Sequence, residues 1–182
     1  MKFARQFLGR MATINESLCN SGRNAAGILL MTMTVIVLLQ IVFRYVLNDS
    51  LIWTEEVAKT MMVWTAFLVA PWAYRASANV GIDMFAEQLS RRTRAILHLL
   101  LNLLVIWIVA VFLFESVGFF QRGASMRAAS LPIQMSWFYS IVPVAFAAMF
   151  VVGVELVLRD VLSLINPDED FVIPQSETTQ GG

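Results

Sequence analysis

Three uncharged stretches set the terms for this chain. Ala25 to Phe43 runs nineteen residues without a charge, Ala95 to Phe114 twenty, and Trp137 to Val154 eighteen. A fourth stretch, Met61 to Tyr74, extends back to Val57 if Lys59 is tolerated. A helix of about 20 residues at 1.5 Å rise crosses a hydrocarbon core ~30 Å thick. Helices also satisfy their own backbone there, and no alternating period-2 pattern points to a barrel. The expectation is an all-α integral membrane protein. Four transmembrane helices are expected, at about 24–46, 54–76, 94–118 and 137–159. Composition agrees: 58% of the 182 residues are hydrophobic and 14% charged. A soluble domain lies nearer half and a quarter.

Several function classes fall away at once. The formal net charge is zero, so no basic surface argues for nucleic acid. Cys19 is the single cysteine, which excludes an internal disulfide. No motif has metal-ligand spacing, and His98 is the one histidine. The first apolar run is too long for a signal-peptide core, and no A-x-A site precedes Arg44. It reads as a retained anchor.

Ahead of that anchor, residues 1–23 form a leader. Phe3, Phe7, Met11, Ile14 and Leu18 recur at helical steps, with Lys2, Arg5 and Arg10 elsewhere. The spacing predicts an amphipathic helix lying on an anionic membrane surface. A positive leader that serves orientation alone is the other reading. The membrane domain then covers 24–163, and 164–182 is a polar tail that reads as disordered. Between the second and third helices, Ile82, Phe85 and Leu89 recur at helical spacing beside Asp83 and Glu87, which predicts a short amphipathic helix on the cytoplasmic side. The third connection, "QRGASMRAASLPIQMSW", carries Gly, Ser and Pro and reads as irregular.

Lys and Arg set the expected orientation. Lys2, Arg5, Arg10, Arg23, Arg75, Arg91, Arg92, Arg94 and Arg159 fall on one side, against Arg122 and Arg127 on the other. Nine against two predicts both termini in the cytoplasm. No internal repeat and no interrupted helix pair of the kind that forms a transporter substrate site is visible.

The polar residues at the helix ends are the candidate sites. In "FRYVLNDSLIWTEEVAK", Arg44 ends the first helix, and Trp53, Glu55, Glu56 and Lys59 open the second. The short link makes these helices antiparallel neighbours, so Arg44 is expected to approach Glu55 or Glu56. Glu55 and Lys59 form an i, i+4 pair in the favoured order. Glu155 and Arg159 repeat that spacing on the fourth helix. Three readings stay open: interfacial snorkelling with ion pairing, docking of a partner subunit, or a proton or ion path. Small residues favour docking or close packing, with Ala66, Ala70 and Ala73 on helix two and Ala145 and Ala148 on helix four. On helix three, His98, Asn102, Val105, Val109 and Ser116 share a face, and Glu115 lies to one side as a further candidate partner for Arg44 or Lys59. Trp53 and Trp137 sit at helix starts, where an aromatic belt is expected.

In this order the pieces resemble a known family. "FRYVLNDSLIWTEEVAK", "YRASANVGIDMF" and "AASLPIQMSWFYSIVPV" are similar to motifs of the small membrane subunit, DctQ-like, of tripartite ATP-independent periplasmic (TRAP) transporters. The resemblance covers roughly residues 20–163. Lys59 stands where arginine is common, and Asn79 where histidine is frequent. The resemblance implies an inner-membrane, multi-pass subunit of a three-part importer. A periplasmic solute-binding protein would capture an organic acid, and a large permease subunit would hold substrate and sodium. This chain would scaffold the large subunit within the lipid, with no catalysis and no cofactor.

The rival class is a membrane anchor of a redox complex that carries haem or reduces quinone. Bis-histidine haem needs two histidines and the chain has His98 alone, so a His–Met haem is the form left to it.

Overall fold

The computed structural model describes residues 2–49, 51–77, 91–128, 130 and 132–165. Within them lie four long helices and one short one. Helix α1 covers Lys2–Tyr45, α2 Ile52–Ser77, α3 Arg91–Gly123, α4 Met135–Tyr139 and α5 Ile141–Ile165. No β-strand forms among the described residues beyond an isolated antiparallel bridge between Arg127 and Gln134. The amphipathic segment expected at 82–89 and the polar tail beyond Ile165 lie outside the described residues.

Among the described residues, three segments are long and apolar enough to cross a membrane: Leu8–Tyr45, Thr93–Gly123 and Met135–Ile165. The expectation of four counts α2 as well, the one long helix outside this set. Helix α2 has 26 residues, enough in length, but no span-length stretch of it is apolar enough to join them. Glu55, Glu56, Lys59 and Arg75, together with Thr60, Thr65, Pro71 and Tyr74, dilute its hydropathy.

The leader is not a separate element. Helix α1 continues through 44 residues without a break, and its buried positions are Leu8, Asn15, Cys19 and Ala26. Steps of 7, 4 and 7 make one stripe, and this stripe faces the bundle. The stripe read from sequence sits about one residue away from it, and its Ile14 and Leu18 are exposed. A polar Asn15 at the centre of the buried stripe disguised the true face. Asn15 is buried because it has a charged partner, Glu155.

Helix α1 packs antiparallel on α2, and Gly22 sets their approach. A Cβ there would lie 2.7 Å from the Leu68 carbonyl oxygen, so a larger residue would push the backbones apart. At the other end of α1, Asn48 adopts φ 57°, a left-handed conformation that Asn tolerates better than most residues. That turn brings the Asp49 amide to donate to the Phe43 carbonyl at 3.1 Å.

The final span begins earlier and ends later than the sequence indicates, and it is interrupted. Pro143 has no N–H to donate to the Tyr139 carbonyl, and its ring crowds that oxygen. The interruption between α4 and α5 therefore falls at Ser140, whose φ −59° and ψ −29° keep the chain on a helical course. Gly123 ends α3 against α4: a Cβ there would meet the Tyr139 ring at 2.6 Å and the Ser136 backbone nitrogen at 3.0 Å. Rings tie the middle together. Phe146 stacks on Phe112 of α3 at 5.4 Å and meets Phe67 of α2 edge-on at 6.0 Å.

Candidate functional site

The largest fully buried side chain among the described residues is a carboxylate. Glu155 is 0% exposed, and it sits where α1, α2 and α5 converge. Its Oε2 accepts from Asn15 Nδ2 at 2.7 Å. Its Oε1 accepts from Arg159 Nε at 3.0 Å, and Arg159 Nη2 lies 2.8 Å from the same oxygen. Arg75 Nη2 approaches Oε1 at 3.4 Å, a longer and weaker contact. One glutamate thus joins three helices through two guanidinium groups and an amide. An isolated charge here would be very costly, and the two arginines offset that cost. Asn15 also reaches toward the Val151 carbonyl at 3.4 Å, while its Oδ1 and the Arg75 Nε find no partner among the described residues.

A second polar chain lies beside it and brings in α3. Asn102 Nδ2 donates to Asp160 Oδ2 at 2.7 Å, and Tyr74 Oη donates weakly to Asn102 Oδ1 at 3.4 Å. Between the two chains, Cys19, Val152 and Leu156 form a small apolar core flanked by Trp72 and Tyr74. Arg23 of α1 lies over the Trp72 ring at 5.5 Å. All four long helices are therefore held together at the end where α2 and α5 finish. A polar network in a membrane bundle restricts helices to one register, because a shifted register leaves its members unpaired.

The opposite end has a smaller clamp. Glu56 Oε2 accepts from the Ser130 amide at 2.9 Å and from the Ser130 hydroxyl, which ties the connection before α4 onto α2. The connection is more ordered than its Gly, Ser and Pro content indicates. Ala128 N–H donates to the Ile133 carbonyl at 3.0 Å, and Met135 N–H to the Met126 carbonyl at 2.9 Å. Trp64 Nε1 donates to the Phe138 carbonyl at 3.0 Å, so α2 holds α4 as well. Beside this clamp a recess of about 410 Å³ is lined by Glu55, Glu56, Lys59, Ser130 and Tyr139 among others.

The residues singled out in the sequence divide accordingly. Glu155 meets Arg159, and Glu55 meets Lys59 at 2.6 Å on an exposed face. Trp53 is partly exposed at the start of α2, next to Thr54, which is buried and donates to the Leu51 carbonyl at 2.6 Å. Arg44 does not meet Glu55 or Glu56. Its guanidinium lies 5.9 Å from the Tyr45 ring centroid, and among the described residues it forms no ion pair. Register explains this. Gly22 faces Leu68; from that level Arg44 is 22 residues along α1, about 33 Å, whereas Glu55 is 13 residues back along α2, about 20 Å. By this count Arg44 stands roughly 13 Å further along the axis, so among the described residues it acts on Glu55 only as a distant charge and forms no ion pair with it. Glu115 reaches neither Arg44 nor Lys59; it is exposed on α3. The α3 face read from sequence does turn inward, with Asn102, Val109 and Ser116 buried.

Sequence reasoning missed Asn15, Arg75 and Ser130 as partners. Arg75 carried one usable signal, a charge in the last turn of α2; Asn15, well inside α1, carried none. Ser130 carried none.

The profile of the family described as "Tripartite ATP-independent periplasmic transporters, DctQ component" matches residues 33–163. The chain belongs to that family. The matched DctQ region contains α2, α3, α4 and all but the last two residues of α5, with Arg75, Glu155 and Arg159, whereas Asn15 precedes it. Relatives of the DctQ chain agree. It is 28% identical over 127 residues to the sialic acid TRAP transporter small permease protein SiaQ of Vibrio cholerae, 70% of this chain and 69% of that one. It is 30% identical over 125 residues to the sialic acid TRAP transporter permease protein SiaT of Haemophilus influenzae, and 23% identical over 124 residues to the isethionate TRAP transporter permease protein DctMQ of Oleidesulfovibrio alaskensis. The match takes in 68% and 64% of this chain but 20% of each of those two proteins. As a DctQ-family small permease subunit, the chain is a multi-pass membrane protein of a transport system.

Proposed function

We propose that this chain is the fixed scaffold of a TRAP importer in the inner membrane. In this reading it docks a large permease subunit, which carries out sodium-coupled uptake of an organic acid delivered by a periplasmic binding protein. The observation that carries it is the Glu155 network, which links α1, α2 and α5 through Asn15, Arg75 and Arg159. Any rearrangement of the bundle's own helices during transport would have to break those contacts in each cycle. The two longer relatives support the partner: each has a DctQ-like region as about a fifth of a larger permease protein. The helix-end residues Trp53, Glu55, Glu56 and Lys59 then serve the rim of the docking assembly, and Glu155 with Arg159 the rigidity of the bundle.

We further infer that α2 crosses the membrane as a fourth span, shielded by α1 and α5, with both termini cytoplasmic. Its 26 residues reach about 39 Å at 1.5 Å each.

Reconstitution tests the assignment. Proteoliposomes holding this subunit alone should show no sodium-driven uptake of an organic acid. Adding the large subunit and the loaded binding protein should restore it. Uptake by this chain alone would overturn the scaffold role, and full uptake by the large subunit without it would show it to be dispensable.

A further inference from the structure

Helix α3 turns one face to α5 and leaves the opposite face bare. Leu104, Ile108, Val111, Glu115 and Arg122 follow one another at helical steps on that bare face, and all five are exposed. Glu115 lies inside the 31-residue apolar span Thr93–Gly123, eight residues or about 12 Å from its end. Phe112, Phe114 and Phe119 surround it, also exposed. Among the described residues neither Glu115 nor the Arg122 side chain has an ion pair. Arg122 bends back along the helix, with its Nη1 3.6 Å from where a Cβ on Gly118 would sit. That places a guanidinium about one turn from Glu115 without joining it.

We propose that this face of α3 is where the subunit meets a membrane helix of the large permease subunit, and that the opposing helix supplies a hydrogen-bond donor or cation to Glu115. The proposal rests on the scaffold reading above and adds to it the docking face. Three occupants compete for such a face. Acyl chains offer a carboxylate no partner, and ionisable groups inside membrane spans face protein or water in nearly every case. A second copy of this chain would pack around a two-fold axis along the membrane normal, setting one Glu115 against another. That juxtaposition repels. A helix from a different protein meets neither objection, and the two fused relatives carry a DctQ-like region within a larger permease chain. An acid and a base on one stripe also fix the height of the incoming helix, as paired polar groups do for interhelical register.

The test uses the complete complex in native membranes. A photo-crosslinking amino acid is placed at Ile108 or Val111 on this face, and at Val35 on the exposed face of α1 as the comparison. The expected result is a crosslink to the large subunit from Ile108 and Val111 and none from Val35. Alongside, Glu115→Leu should recover about fivefold to tenfold less large subunit on purification, and Glu115→Gln, which still hydrogen-bonds, clearly more than Glu115→Leu. The Glu115→Leu subunit purified alone should remain as heat-stable as the unaltered chain, which separates lost docking from misfolding. Crosslinks from Val35 only, crosslinked pairs of this chain, or an intact complex with no crosslink from α3 would each overturn the proposal. An unaltered chain that co-purifies with no large subunit removes the scaffold reading itself, and the docking face with it.

Discussion

Asn15 and Glu155, 140 residues apart in sequence, are both fully buried and share a hydrogen bond of 2.7 Å. The contact joins the segment before the first apolar run to the end of the last span. The first and last described helices, α1 and α5, are thereby tied together.

Glu155→Ala is expected to be the most damaging single change in the bundle. It leaves Arg75 and Arg159 without their counter-charge, and breaking a buried pair in this way costs about 3–5 kcal/mol. Asn15→Ala leaves one carboxylate oxygen short of a donor, at about 1–3 kcal/mol. Thermal unfolding of the purified subunit in detergent would measure both. The double variant should lose less than the sum of the singles; strictly additive losses would show that the two residues act separately.

The Glu56 clamp makes a local prediction. Glu56→Ala removes the acceptor for both the amide and the hydroxyl of Ser130. The global cost should stay near 1–3 kcal/mol. Protease cleavage or hydrogen exchange in the connection at 124–134 should rise sharply, while the Glu155 end keeps its protection. Equal protection of that connection with and without Glu56 would contradict the clamp.

What the sequence disclosed and what it hid follow a physical rule. Contacts within one helix were legible, because i, i+4 spacing is local: Glu55 with Lys59, and Glu155 with Arg159. The inward face of α3, with Asn102, Val109 and Ser116, was legible from periodicity. Contacts between helices depend on axial register, and a close approach such as Gly22 against the Leu68 carbonyl sets that register. Nothing in a single sequence announces it. Arg44 therefore looked level with Glu55 and is not. Asn15 looked like the polar side of a surface helix, because its burial depends on a carboxylate 140 residues away.

Arg44 supplies the converse prediction. It lies over Tyr45 at the exposed end of α1, outside any ion pair among the described residues. Arg44→Ala should therefore cost under about 1 kcal/mol, the range of exposed charge and cation–π contacts. Its effect should add independently to that of a Glu55→Ala/Glu56→Ala double change. A loss on the scale of Glu155→Ala would mean that Arg44 engages a group outside this chain.

Gly22 gives a sharper test of the same register. A methyl group there would press on the Leu68 carbonyl, which as backbone cannot swing aside. Gly22→Ala should destabilise α1 against α2 by about 1–3 kcal/mol, and Gly22→Leu by more. Gly27 is the control, since a Cβ there would meet nothing within 4 Å. Gly27→Ala should be neutral or slightly stabilising, because alanine favours helix over glycine by up to about 1 kcal/mol.

Topology is the broadest expectation still to be measured, and α2 decides it. If α2 crosses, the chain has four spans, and its two ends emerge on the same side. The nine-to-two Lys/Arg asymmetry then puts both in the cytoplasm. If α2 only lies against α1 and α5 without crossing, three spans leave the ends on opposite sides. Reporter fusions after Asp49, after Ser125 and at the C-terminus distinguish these outcomes. The first two should report the periplasm and the last the cytoplasm. A periplasmic C-terminus would remove the fourth span, and α2 would then be a packed helix that stops short of the far side.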